Sequence, residues 1–148
     1  MSTDDLDIMP DPEPQNLERL AAVLSRPDTA RKIGASTFEP HPVINAMEFR
    51  TETICSYVTS DGPIDVLMQL PDVGTYDDVV RNARRYLLGD ISIFAADIDD
   101  IIRSKVATDR AKDWRALDVL YETRDRLRRE PDPYEVDPAA LMPDDPDT

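Results

Sequence analysis

Acids alternate with apolar residues in Asp5-Leu6-Asp7-Ile8, which runs on through Met9 into a proline-punctuated stretch and then an amphipathic segment, Asn16 to Arg26. This order constrains the fold more than any other feature. Side chains in a strand point to alternate faces, so Leu6 and Ile8 face a core while Asp5 and Asp7 share the opposite face. In the segment that follows, Leu17, Leu20, Ala21 and Leu24 recur at the spacing of one buried helical face, and Pro27 stops the helix. A strand entering a helix in this way reads as a βα unit, whereas an acid-rich stretch without that context reads as a solvated end.

Two aspartates on one strand face form half of a clamp for a hard cation. The third candidate is Asp65, in Gly62-Pro63-Ile64-Asp65-Val66-Leu67. Here Ile64, Val66 and Met68 share a face and Asp65 points to the other, interrupting an otherwise apolar run. A half-buried carboxylate is costly without a partner, which calls for a cation or an arginine beside it. Three carboxylates suit Mg2+, which takes oxygen ligands and keeps positions for water and substrate phosphate. An EF-hand is excluded, because the segment from Asp5 to Asn16 has Pro10 where that loop needs glycine and Asn16 where it needs glutamate.

The remaining pattern is of mixed α and β type. Ile44–Arg50 and Glu52–Thr59 read as β-rich, Ser60-Asp61-Gly62 as a turn, and Ile64–Leu70 as a strand closing a hairpin. Thr75–Arg85 reads as a helix capped by Thr75, and Leu87–Ile93 as two short strands about Gly89-Asp90. Asp97 caps a helix whose Ile98, Ile101, Ile102 and Lys105 share a face. A last helix, Ala111–Arg128, carries Trp114, Leu117, Leu120, Tyr121 and Leu127 as its apolar stripe, predicted to pack on the preceding helix. The fold class expected is α/β (α+β), a small mixed sheet packed with helices and followed by C-terminal helices.

At this point the residues carry a resemblance. Thr3-Asp4-Asp5-Leu6-Asp7-Ile8 with Asn16-Leu17-Glu18-Arg19-Leu20-Ala21-Ala22, the Asp65 strand, Asp100-Ile101-Ile102-Arg103-Ser104-Lys105 and Arg110-Ala111-Lys112-Asp113 follow one another in a fixed order. That order resembles small bacterial nucleotidyltransferases, the AbiEii-like and related members of the DNA polymerase β-type superfamily, over roughly residues 3 to 128. The resemblance implies transfer of a nucleoside monophosphate from an NTP to a hydroxyl on RNA, protein or a small molecule, with toxin–antitoxin systems among the settings. It implies two Mg2+ ions held by Asp5, Asp7 and Asp65, with Asp65 also helping to deprotonate the acceptor. Lys105, Arg110 and Lys112 would meet the nucleotide phosphates; the alternative is pairing with Asp109, Asp113 or Asp118 on the helix surface. The family places a Gly-Gly or Gly-Ser turn before its Asp-x-Asp strand, where backbone N–H groups approach phosphate. No such turn precedes Asp5, so the expectation is a shortened or mis-started form, and a catalytically inactive binding or regulatory module stands as the alternative function.

Composition bounds the rest. At 148 residues the chain is sized for one domain, here residues 1–129. Residues 130–148 hold acids and prolines with no basic residue, and are expected to be a disordered acidic tail. The net charge of -14 disfavours direct binding to nucleic-acid phosphates. One cysteine, Cys55, rules out an internal disulfide and a cysteine zinc cluster, and the one histidine, His41, reads as an exposed linker residue between prolines. No apolar run approaches the ~20 residues of a membrane span, and no signal peptide is visible. A cytoplasmic location is the corresponding expectation.

Overall fold

The structure, a computed structural model, describes residues 5–40, 43–130 and 132–136. Thr3, Asp4, His41 and residues 137–148 lie outside that set. By its internal contacts the chain divides into two compact units, residues 1–70 and 71–148, and the boundary falls inside the stretch that length alone would assign to one domain. Both are of mixed α and β character, with the helix pair at the C-terminal side.

The first unit is built in the order β1 (Leu6–Ile8), α1 (Pro14–Leu24), β2 (Ala30–Lys32), β3 (Phe38–Pro40), α2 (Ala46–Thr51), β4 (Ile54–Thr59) and β5 (Gly62–Leu67). Its five strands form one sheet in the order β1-β5-β4-β2-β3. β1 runs parallel to β5, as a strand reached through a crossover can; the other pairings are antiparallel. The β4–β5 hairpin turns through Ser60 and Asp61, with Thr59 opposite Gly62. Gly62 takes a φ of 129°, a conformation that a side chain disfavours. The turn is tied to the end of α1, because Arg26 bridges Asp28 and Asp61 and the Ser60 hydroxyl donates to Asp28. That hydroxyl is the main reason the Asp28 carboxyl sits below its ordinary pKa.

α1 begins with Pro14 in its first turn, where a missing N–H costs nothing, and buries Leu17, Ala21 and Leu24 as the periodicity predicts. Leu17, Phe49 and Val66 are fully enclosed, and Ile44, Cys55 and Tyr57 complete the core with the α1 residues. Phe49 and Tyr57 meet edge to face at 6.3 Å. Burial pushes the Tyr57 phenol and the Cys55 thiol upward in pKa. Ser25 links the two helices: its hydroxyl donates to the Ala21 carbonyl and accepts from the Ile44 N–H, each at 2.7 Å.

One expected strand is corrected here. Ile44–Arg50 is not β-rich; Asn45 caps α2, accepting from the Met47 N–H while Glu48 reaches back to the Asn45 N–H. Glu48 also holds Arg31 of β2 at 3.1 Å, which anchors the helix to the sheet.

The second unit comprises α3 (Tyr76–Val80), β6 (Arg84–Leu88), β7 (Ile91–Ala95), α4 (Ile98–Thr108) and α5 (Ala111–Arg129). α3 is shorter than the expected Thr75–Arg85 helix because the chain from Arg84 onward pairs as a strand. The β6–β7 hairpin turns at Gly89 and Asp90 as the sequence indicates, with Gly89 at a φ of 61°. Residues 132–136, the described part of the acidic tail, lie beside β6. Glu135 bridges antiparallel to Tyr86, the Val136 N–H donates to the Arg85 carbonyl, and Arg84 pairs with Glu135 at 3.2 Å.

Asp97 caps α4 by accepting from the Asp99 N–H. α4 and α5 pack together through a corner at Asp109, whose φ of 49° is left-handed. The stripe expected on α5 is rotated. Asp113, Ala116 and Leu117 are buried, whereas Trp114 is 56 % exposed and its indole N–H donates to Asp109 at 2.7 Å. Trp114 is therefore an external brace on the corner and not a core residue.

Candidate metal centre

The register between β1 and β5 is what builds the site. Leu6 lies opposite Ile64, Asp7 opposite Asp65, and Ile8 opposite Val66. Because pairing is in phase, the apolar partners Ile8, Ile64 and Val66 turn together toward the helices, and the two aspartates turn together to the other face. Asp5 precedes β1 by one residue and joins them. A slip by one residue would have sent Asp65 to the core side.

Asp5, Asp7 and Asp65 each offer a carboxylate oxygen, and these oxygens all lie within 4.8 Å of one another. Asp5 and Asp7 are exposed, while Asp65 is half-buried between Ile64 and Val66. The donor set fits a hard divalent cation. Two oxygens on one Mg2+ are at most about 4.2 Å apart, given Mg–O distances of about 2.1 Å. Neighbouring ligand oxygens on such an ion stand about 3.0 Å apart, so oxygens within 4.8 Å of one another are near that spacing without matching it; ions of two-metal sites stand about 3.5 to 4 Å apart. Three like charges this close repel one another, and a bound cation removes that repulsion.

The sheet extends beyond these residues. Ser56 of β4 is the partner of Asp65, and Lys32 of β2 is the partner of Phe38 of β3. Arg31 faces Tyr57 on the core side, so Lys32, the next residue, belongs to the aspartate face. Periodicity gave no signal for Lys32 or Phe38, because β2 and β3 are three residues each and were not anticipated as strands.

The proposed phosphate-binding cations lie in the second unit. Lys105 and Arg110 converge on Asp113, at 3.6 Å and 2.9 Å, and the Thr108 hydroxyl donates to the same carboxylate at 2.9 Å. Burial by itself would raise the Asp113 pKa. The hydrogen bonds from Thr108 and Arg110 and the charges of Arg110 and Lys105 outweigh it, so the carboxyl sits below its ordinary value. Of the alternatives left open by the sequence, pairing with Asp113 is the one seen for Lys105 and Arg110. Lys112 lies on α5, with its side chain outside the described set.

No family model, curated protein or solved structure matches the chain. Among the described residues, no helix is long and apolar enough to cross a membrane.

Proposed function

We propose that the first unit holds a divalent cation through Asp5, Asp7 and Asp65 and uses it to bind the triphosphate of an NTP, transferring the nucleoside monophosphate to a hydroxyl acceptor. The observation that carries this reading is the in-phase β1–β5 register, which sets Asp7 beside Asp65, with the Asp5 carboxylate, one residue before β1, within 4.8 Å of theirs. The ion, Mg2+ by the hardness of its ligands, supplies charge neutralisation at the phosphates. Asp5 and Asp7, exposed at the sheet edge, hold it. Asp65, half-buried, completes the ligand set and accepts the proton of the attacking hydroxyl. The bond from acceptor oxygen to the α-phosphorus forms, the bond from that phosphorus to the bridging oxygen breaks, and pyrophosphate leaves.

Calorimetric titration of the full chain with Mg2+, beside Asp65→Asn and Asp7→Asn, tests the first half of the proposal. Saturable binding lost in both variants supports it, and a wild-type chain indifferent to Mg2+ and Mn2+ ends it. Labelled NTPs incubated with an RNA and protein pool test the second half. Cation binding without label transfer identifies the chain as a binding or regulatory module instead.

A further inference from the structure

We propose that β7 pairs with β7 of a second copy of the chain, antiparallel about a two-fold axis at Ile93, joining two β6–β7 hairpins into one sheet. The proposal is independent of the cation site and lies wholly within residues 71–148. Edge strands present unpaired backbone N–H and C=O groups, and folds guard them with charge, proline or a covering segment. Every other edge among the described strands is guarded in one of these ways. β1 carries Asp7, β3 carries Glu39 and Pro40, and the outer side of β6 is covered by residues 134–136. β7, Ile91-Ser92-Ile93-Phe94-Ala95, has neither charge nor proline, and β6 is its one partner among the described strands. Its apolar side chains are uncovered as well. Ile91 is 66 % and Phe94 65 % exposed, and they lie on opposite faces of the hairpin.

The hydrogen bonds of β6 fix which groups β7 presents. The Leu87 N–H donates to the Tyr134 carbonyl and the Arg85 carbonyl accepts from the Val136 N–H, so the backbone groups of Leu87 and Arg85 point away from β7. Leu87 with Ser92 and Arg85 with Phe94 are therefore the non-hydrogen-bonded pairs of the hairpin, and Ser92 and Phe94 aim their N–H and C=O groups outward. A second β7 satisfies all of these groups in one register. Ser92 opposite Phe94 of the second copy exchanges two hydrogen bonds, and the two-fold axis repeats the exchange. The same register sets Ile93 against its own counterpart and Ile91 opposite Ala95 of the second copy, extending the face that Ile91 and Ile93 share with Leu88 and Tyr86.

Charge selects this occupant over a basic peptide. The chain is acidic as a whole, with a net charge of -14, yet β7 offers no carboxylate and its partner strand carries Arg84 and Arg85. An uncharged strand with a matching outward pair is what the edge takes, and β7 is such a strand. Repulsion between two acidic copies and the small size of two five-residue edges keep the dimer weak, with a dissociation constant of about 10 to 100 μM that tightens as salt screens the charge.

Sedimentation of the full chain, from about tenfold below to tenfold above that range, tests the proposal. The wild type is expected to pass from monomer to dimer, and to do so at lower concentration in about 0.5 M NaCl. Ser92→Pro removes an outward N–H while leaving the bonds to β6 in place, and is expected to remain monomeric throughout. Cysteine linkage reads the register without relying on that variant's folding, since Cys55 is buried. Ile93→Cys places two thiols across the axis with Cα atoms about 4.5 Å apart, within disulfide range, whereas Ile91→Cys stands roughly 14 Å from its counterpart. Mild oxidation is expected to link the first into a covalent dimer and leave the second unlinked. A wild type that is monomeric at every concentration, leaving the edge to some other protein, overturns the proposal. So does a Ser92→Pro variant that dimerises as the wild type does, or linkage through Ile91→Cys in preference to Ile93→Cys.

Discussion

Asp113 is 2 % exposed and carries three partners, Thr108, Arg110 and Lys105. Its folded-state pKa is below the ordinary carboxylate value, so it contributes stability in full above about pH 3.9, the unfolded value. That contribution is lost as pH falls through the lower folded value. Thermal midpoints measured across the acid range should show the wild type losing more than Asp113→Asn below pH 4, with the variant weaker at pH 7 by about 2 kcal/mol from lost charge-assisted hydrogen bonds. Equal acid sensitivity of the two proteins would assign the carboxylate no net role. The neighbouring Trp114 makes the opposite case. Half exposed, with one hydrogen bond to Asp109, it should cost under about 1 kcal/mol on Trp114→Ala, whereas Leu117→Ala, at a buried position, should cost about 2 to 4 kcal/mol in denaturant unfolding.

Among elements, α2 is only six residues long and depends on its start. Asn45→Ala removes the side-chain acceptor of the capping box and should lower stability by about 1 kcal/mol in urea unfolding, with the helix's link between Glu48 and Arg31 loosened as well. An unchanged urea midpoint would show that packing of Phe49 alone holds the helix. This cap was present in the sequence: Asn45 and Glu48 stand at the spacing of a capping box, but the apolar Ile44, Ala46 and Phe49 drew the segment toward a strand. β1, α1, the Ser60-Asp61 turn and the Gly89-Asp90 turn were legible because alternation, helical periodicity and turn residues agree locally. β2 and β3 were not. Ala30-Arg31-Lys32 and Phe38-Glu39-Pro40 are short and carry charges or proline, and only pairing with β4 through β2 makes them strands. The same holds for the site. Asp5 and Asp7 were readable from strand alternation and Asp65 as an interruption of an apolar run, whereas the places of Lys32 and Phe38 in the sheet arise from long-range pairing. The rotation of α5 was hidden for a related reason: a buried, ion-paired Asp113 occupies a position that hydrophobic periodicity leaves to the surface.

At the scale of the whole molecule, all three candidate ligands and the entire five-stranded sheet belong to residues 1–70. That segment expressed alone should therefore bind Mg2+ with an affinity within a few-fold of the full chain, as calorimetry would report; loss of binding would show that residues 71–148 are needed to fold or complete the site. The strand bearing Asp7 has a further consequence. β1 lies at the sheet edge and is secured along one side by three residue pairs with β5, so its docking is among the less costly local openings of the unit. An ion that needs Asp7 and Asp65 together binds only the docked arrangement, which makes ion uptake and strand closure one linked equilibrium. Amide hydrogen exchange at Leu6, Asp7 and Ile8 should slow on adding Mg2+ while that of β4 stays constant, and the measured affinity for the ion would then fold in the conformational cost of seating an edge strand.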